Sequence, residues 1–354
     1  MSLTSDNFLK NNLESPSKKL HSQKKERLDW IDYSKGLGIF LVVFGHALRG
    51  LISSSIIQPS PMVTFIDQWM YGFHMPLFFF ISGLFIEGSL SKPFGKFIGN
   101  KLSTIVYPYF LWSIFQSLIQ VVASRYTNEG LSLGDIWKII YIPVMQFWFL
   151  YTLFLIMVIY GVLYKFKFST KLLFILAVGL YGLHILDINF GPWGILYLTR
   201  RHAIYLALGA IIGDKNILGK LKEIKTSIVG LAVLTGYLAV AIAVLSQLPT
   251  NRIAEPLIGI AGISSTVALA ILIERYKVGK IFQYWGILSL EIYVAHTIFQ
   301  SAFRIFLQKI FGVTEPFIHI LLGTAIGLYA PIVLDSLAKK LKFPYMFTFF
   351  PRHK

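Results

Sequence analysis

Apolar runs of about twenty residues recur along this chain from residue 32 to residue 338. A run of that length is what a helix needs to cross a hydrocarbon core ~30 Å thick. Short basic or Gly/Pro-bearing breaks separate the runs, and no stretch offers an independent soluble domain. The pattern predicts an all-α fold, a polytopic membrane helix bundle with about ten transmembrane helices. The spans fall near 32–54, 70–89, 102–124, 146–164, 171–187, 200–213, 226–246, 256–273, 283–307 and 317–338. The sixth is short, and either begins earlier, near Trp193, or is irregular.

Charge orients the bundle. With the N-terminal tail inside and the spans alternating, about 24 Lys and Arg fall inside and about 8 outside, with Lys35 inside the first span. That satisfies the positive-inside rule and puts both termini in the cytoplasm. A net charge of +16 raises nucleic acid as a partner, but the cations are scattered through short loops and both tails, as membrane topology requires. The lipid bilayer is therefore the expected partner and nucleic acid is not. Residues 1–28 read as a disordered basic cytoplasmic tail, 29–340 as the membrane-embedded domain and 341–354 as a second basic tail. The first tail has no apolar core and is not a signal peptide. Cysteine is absent, which removes disulfides, thiolate metal sites and cysteine nucleophiles. No metal site is expected. The segment from Leu133 to Ile142, with Trp137, Ile140 and Tyr141, is amphipathic and is expected along the outer interface.

Ionisable residues in an apolar run are costly and mark bundle interiors, cavities or reaction paths. The first span carries three of them, Asp32, Lys35 and His46. Lys35 and His46 are eleven residues apart, close to three helical turns, and share a face about 16 Å long. Asp32 is placed to pair with Lys35. The alternating orientation puts His46, His74 and His296 at similar depth on three spans, with Arg49, Trp148, Arg200, Arg201 and His202 in the same outer layer. Lys35, Lys96 and Lys101 lie at the inner ends. Glu291 lies one turn below His296, where it could orient that ring or satisfy a cation.

Each of these residues also has a purely structural reading. A histidine in a span can hydrogen-bond a neighbouring helix. Lys35 can snorkel to the inner interface. Trp148 can belong to the aromatic belt, and Arg200, Arg201, Lys96 and Lys101 to topology and headgroup contacts.

Five motifs in order resemble the acyltransferase-3 family of integral membrane acyltransferases, and most resemble its fucose 4-O-acetylase-like subgroup. The first runs from Asp32 through Lys35-Gly36 to Gly45-His46. Phe73-His74-Met75-Pro76 through Ser82-Gly83 follows, then Lys101 with Tyr107-Pro108-Tyr109, then Phe147-Trp148-Phe149-Leu150. The last is Gly286 through Ser289, Glu291 and His296. Two features depart from the family pattern: Lys35 stands where an arginine is usual, and an arginine pair before the third span's proline is missing, with Thr104 at a position where a cation is expected.

The resemblance implies transfer of an acetyl or similar acyl group from acyl-CoA, a donor substrate, with no tightly bound cofactor. The acceptor is a hydroxyl of a cell-envelope or exported glycan or lipid-linked sugar, and the location a plasma (inner) membrane crossed many times. Under that reading His46 is the catalytic base or a transient acyl carrier, supported by Lys35 and Asp32. Lys35, Lys101 and Lys96 bind the donor, while His74, Ser82, Trp148, Glu291, His296 and Arg201 bind the acceptor. The rival readings are a polysaccharide or lipid-linked sugar exporter without acyl transfer, and an ion or proton carrier using the histidines. No internal repeat supports an inverted-repeat transporter.

Overall fold

The computed structural model describes residues 28–124, 132–188, 191, 193–213 and 215–349. Apart from Leu28, the N-terminal tail lies outside the described residues, as do residues 350–354. Among the described residues every regular element is helical. The long first helix, α1, runs Asp29–Ser53, with Asp29 and Asp32 in its first turn, where the helix dipole favours negative charge. It is followed by α2 (Pro61–Tyr71), α3 (His74–Leu84), α4 (Ile86–Leu90), α5 (Phe94–Lys101) and α6 (Tyr107–Ser124). The middle of the chain forms α7 (Trp148–Lys165), α8 (Thr170–Ile185), α9 (Gly194–Ile212), α10 (Lys215–Glu223) and α11 (Thr226–Leu245). The last part forms α12 (Glu255–Tyr276), α13 (Lys280–Ile287), α14 (Ser289–Ile310) and α15 (Pro316–Lys340).

Seven helical runs are long and apolar enough to cross a membrane, and α8 is a shorter apolar helix. The ninth expected span is broken in two, and the second into three, with a second break at Phe85 between α3 and α4. The second begins earlier than its apolar run: Ser60 caps α2, accepting from the Val63 amide at 3.3 Å, with Pro61 as first helical residue. It breaks at Gly72–Phe73 and resumes as α3, whose first turn tolerates Pro76 because its amide needs no intrahelical partner. The ninth breaks at Leu288, between α13 and α14. The third passes through a π-helical segment, Leu102–Val106, between α5 and α6. The sixth begins at Gly194, the earlier of the two expected starts.

Helix α1 is the axis of the bundle and touches α2, α3, α12, α13, α14 and α15. Trp30, Ile39 and Val43 on it are fully buried. Its approach to α13 is backbone to backbone: a Cβ on Gly286 would stand 1.7 Å from the Asp32 carbonyl oxygen, and one on Gly36 would stand 1.8 Å from that of Phe282. The α3–α9 crossing uses the same device, since a Cβ on Gly209 would lie 2.0 Å from the Phe80 carbonyl oxygen. Small residues at crossings are how membrane helices gain contact when lipid is as apolar as their side chains. By contrast, α11 leaves Leu231, Leu234 and Leu245 exposed, as a lipid-facing helix does.

Buried polar side chains tie the spans together. Gln300 on α14 donates to the Val43 carbonyl of α1 at 2.9 Å and to the Gly323 carbonyl of α15 at 3.3 Å. Gln146 donates to Thr297 at 2.8 Å, and the Tyr293 hydroxyl donates to the Gln146 carbonyl. In a low-dielectric interior an unmade bond costs more than a made one returns, so these links fix helix register.

The expected amphipathic segment forms a 3₁₀ helix, Leu133–Ile140, that turns Leu133, Trp137 and Ile140 outward. It is fastened by Tyr109 donating to the Ile139 carbonyl at 2.5 Å and Tyr151 to the Ile140 carbonyl at 2.9 Å. Residues within the expected basic C-terminal tail pack on the third span. Phe347 is buried and stacks on Trp112 at 5.4 Å, whose indole donates to the Met346 carbonyl at 2.9 Å.

Candidate functional site

Three helices converge on a group of histidines. His46 comes from α1, His296 from α14 and His74 from the first residue of α3. The His46 and His296 rings lie 5.1 Å apart between centroids, inclined by 59°. His296 is fully buried, and its Nδ1 lies 3.0 Å from the Ile292 carbonyl and 2.8 Å from that of Tyr293. A carbonyl accepts only, so the proton of a neutral His296 sits on Nδ1 and Nε2 presents a lone pair. That Nε2 is buried without a hydrogen-bond partner. His74 is held the same way, its Nδ1 donating to the Met70 carbonyl at 2.7 Å, and the Tyr71 ring meets it edge-on at 4.5 Å. The break at Gly72–Phe73 lies between these two residues.

One turn beyond His46, Arg49 grips Asp67 of α2 with both ends of its fork, Nε to Oδ1 at 2.7 Å and Nη2 to Oδ2 at 2.9 Å. Its guanidinium also lies over the Tyr71 ring, 3.2 Å from the centroid. On the far wall, Arg201 Nε of α9 meets Glu255 Oε1 of α12 at 2.5 Å, and His184 Nε2 stands 3.7 Å from the other carboxylate oxygen. Between these pairs is a cavity of about 440 Å³, also lined by Tyr71, Trp148 and His202. A larger, mostly apolar cavity of about 890 Å³, lined by Tyr141, Pro143, Trp193 and Ile195, shares Trp148 and Leu198 with it. Trp148 heads α7, its ring 5.3 Å from that of His202. Ser82 is half-buried on α3, eight residues beyond His74 and about 12 Å along the helix. Arg200 is buried against the Tyr197 ring at 5.2 Å.

At the other end of α1, Lys35 Nζ lies 3.1 Å from Asp32 Oδ1. Glu291 belongs to this end: the charges that act on it are Asp335, Lys339 and Lys35. Five residues on a helix amount to a rotation of about 140° beyond a full turn, so Glu291 and His296 leave α14 in different directions. Asp335 is buried and pairs with Lys339. This end therefore mixes Lys35 and Lys339 with three carboxylates, those of Asp32, Glu291 and Asp335. Lys96 and Lys101 sit on α5, which packs on α4, α7 and the π-helical segment. Lys96 is exposed, and Lys101 Nζ lies 5.5 Å from the Phe97 ring centroid. Among the described residues no group of three His, Asp or Glu side chains is placed to hold a metal ion.

Asp67, Tyr71 and Glu255 do not stand out in the sequence as site residues. Asp67 and Glu255 each lie at or beyond the edge of an apolar run, so they read as loop residues. A cation near each span end, Arg49 and Arg201, was the available signal that a carboxylate should stand opposite.

Chemically, the site joins a buried acceptor nitrogen on His296, a second imidazole on His46 and a cavity lined with hydrogen-bonding groups. Residues 28–335 match the acyltransferase-3 family model, described as an acyltransferase domain. A stretch of 140 residues is 32% identical to the Nodulation protein NolL of Mesorhizobium japonicum, covering 38% of this chain and 36% of that relative. The chain thus spans little more than a third of the length of that curated relative. No solved structure matches the chain. With the family model covering most of the described bundle, from the first helix into the last, this membrane helix bundle belongs to the acyltransferase-3 family.

Proposed function

We propose that the protein moves an acetyl or similar small acyl group from acyl-CoA to a hydroxyl of a cell-envelope or exported glycan. The fucose 4-O-acetylase-like members, which its first-span motif resembles, are the subgroup this reading favours. The observation that carries it is the His46–His296 pair, with a buried, unpartnered Nε2 on His296, one helical turn from the polar cavity behind Arg49.

Neutral imidazole is the side chain suited to taking a hydroxyl proton near neutral pH. In the proposed reaction His46 removes the proton from the acceptor hydroxyl as its oxygen attacks the thioester carbonyl. The C–O bond forms, the C–S bond breaks, and the proton held on the imidazole passes to the departing thiolate to give CoA-SH. His296 assists because its Nδ1 proton is committed to two carbonyls, so its Nε2 can only accept. It thereby sets a proton acceptor beside the His46 ring, 5.1 Å away between centroids, that can stabilise the imidazolium that forms. The donor approaches from the Lys35 end, which this reading places on the cytoplasmic side of a plasma membrane together with both termini. Lys35, with Lys101 and Lys96, attracts its phosphates, and Asp32 holds Lys35. The acceptor occupies the cavity of Arg49, Trp148, Arg201 and His202.

The test is His46→Gln in membranes with wild-type expression, assayed for transfer of labelled acetyl from acetyl-CoA to envelope glycan. Loss of transfer by about 10²–10⁴-fold is expected. Activity close to wild type removes His46 from the chemistry. Label retained on the protein when acetyl-CoA is given alone would mark an acyl-His46 intermediate in place of direct attack.

A further inference from the structure

The cavity beside the histidines is walled by two cations and two carboxylates, and each cation is already engaged. Arg49 uses both ends of its fork on Asp67, and Arg201 meets Glu255 at 2.5 Å. Both pairs line the same space of about 440 Å³, and among the described residues no other Asp, Glu, Lys or Arg lines it. Arg200, the next cation along, is 1% exposed and lies outside this wall.

From this charge balance we infer that the acceptor bound here is an uncharged saccharide, and that uronates, sialic acids and phosphorylated sugars are excluded. The inference rests on the reading of the protein as a glycan acyltransferase and narrows its acceptor. An anionic sugar would need a cation not already neutralised. Here it would have to displace Asp67 or Glu255, or reach the remaining N–H groups beside them, leaving like charges together in one cavity. One face of the Arg49 guanidinium is covered by the Tyr71 ring, 3.2 Å away. A neutral hydroxyl meets no such conflict. It donates to the carboxylate lone pairs the arginines leave over and accepts from their remaining N–H groups. Tyr71 and Trp148 add apolar faces against which the C–H side of a neutral ring can rest.

The experiment uses the full chain in lipid nanodiscs with acetyl-CoA and two matched acceptor pairs. One pair is methyl β-D-glucoside and methyl β-D-glucuronide, the other methyl α-D-galactoside and methyl α-D-galacturonide, which differ only at C6. Acetylation is followed by mass spectrometry and binding, without donor, by calorimetry. The neutral member of a pair is expected to lead its uronide by at least about tenfold in kcat/KM, as a like-charge penalty in a confined site requires. Asp67→Asn and Glu255→Gln, made separately, each free an arginine and are expected to move that ratio toward the uronide by about tenfold. If glycosides are acetylated but uronides serve as well or better, or neither variant moves the ratio, the neutral-acceptor inference falls while the transferase reading stands. If no glycoside is bound or acetylated by protein that turns over acetyl-CoA, the glycan reading falls and takes this inference with it.

Discussion

His46 and His296 face each other where α1 meets α14, ring centroids 5.1 Å apart, and only His46 is free to choose its tautomer. His296 has no choice, because two backbone carbonyls of its own helix hold its Nδ1 proton. The two imidazoles therefore stand in unequal roles. His296 can take a hydrogen bond or a proton only on Nε2, and His46 is the ring able to exchange a proton with a substrate.

That inequality separates two substitutions. His46→Gln should lower transfer by about 10²–10⁴-fold at every pH. His296→Gln should lower kcat by about 10²-fold while leaving KM for either substrate within a few-fold, because it removes an assisting acceptor and no binding group. Steady-state kinetics on the two variants, matched for expression and thermal melting, decides this. Equal effects on KM would make His296 a binding residue.

Gly286 and Gly50 make a contrasting pair in stability. A Cβ at Gly286 collides with the Asp32 backbone, which no rotamer change can relieve, so Gly286→Ala should force α1 and α13 apart at a cost of about 3 kcal/mol. Gly50 lies within α1 with open space around its would-be Cβ. There, Gly50→Ala should stabilise by up to about 1 kcal/mol through helix propensity. Thermal unfolding in detergent checks both. A Gly286→Ala protein melting with the wild type would show that the α1–α13 contact does not hold the bundle.

How much of this was legible in the chain follows from what each signal averages over. The apolar runs report a bundle of membrane-crossing helices, and counting along the spans suggests that His46, His74 and His296 lie near one another. Depth says nothing of azimuth, however. Glu291 and His296 look like neighbours in the sequence, yet the rotation of about 140° between them sends one toward Asp335 and Lys339 and the other toward His46. Hydropathy is equally blind to breaks inside an apolar run. The interruptions at Gly72–Phe73 and Leu288 leave the surrounding residues apolar, so both spans read as continuous. Asp67 was lost for a related reason: placing the span's start at residue 70 set it in a loop, whereas α2 begins at Pro61 and carries Asp67 to Arg49.

Lys35 tests the donor end. Its partner is Asp32 at 3.1 Å, and Glu291 and Asp335 are close by. Lys35→Arg keeps the charge and should retain most of the activity. Lys35→Glu sets a carboxylate among carboxylates and removes a cation from the proposed phosphate path. It should raise the apparent KM for acetyl-CoA by about tenfold or more, with a smaller change for the acceptor. An unchanged donor KM in the reversal would leave Lys35 with a structural role alone.

The Arg49–Asp67 clamp allows the sharpest measurement of coupling, because both partners face the cavity and Arg49 also covers Tyr71. Arg49→Gln leaves the Asp67 carboxylate uncompensated, and Asp67→Asn leaves the guanidinium so. Each single substitution should lower acceptor kcat/KM by about tenfold or more, whereas the double substitution removes both charges and should cost less than the two effects combined. A coupling of about 1 kcal/mol or more is expected in a double-mutant cycle on acceptor kcat/KM, with donor KM unaffected throughout. Strict additivity would mean that the two side chains act independently on the acceptor, and the clamp would then be a consequence of helix packing with no part in shaping the cavity.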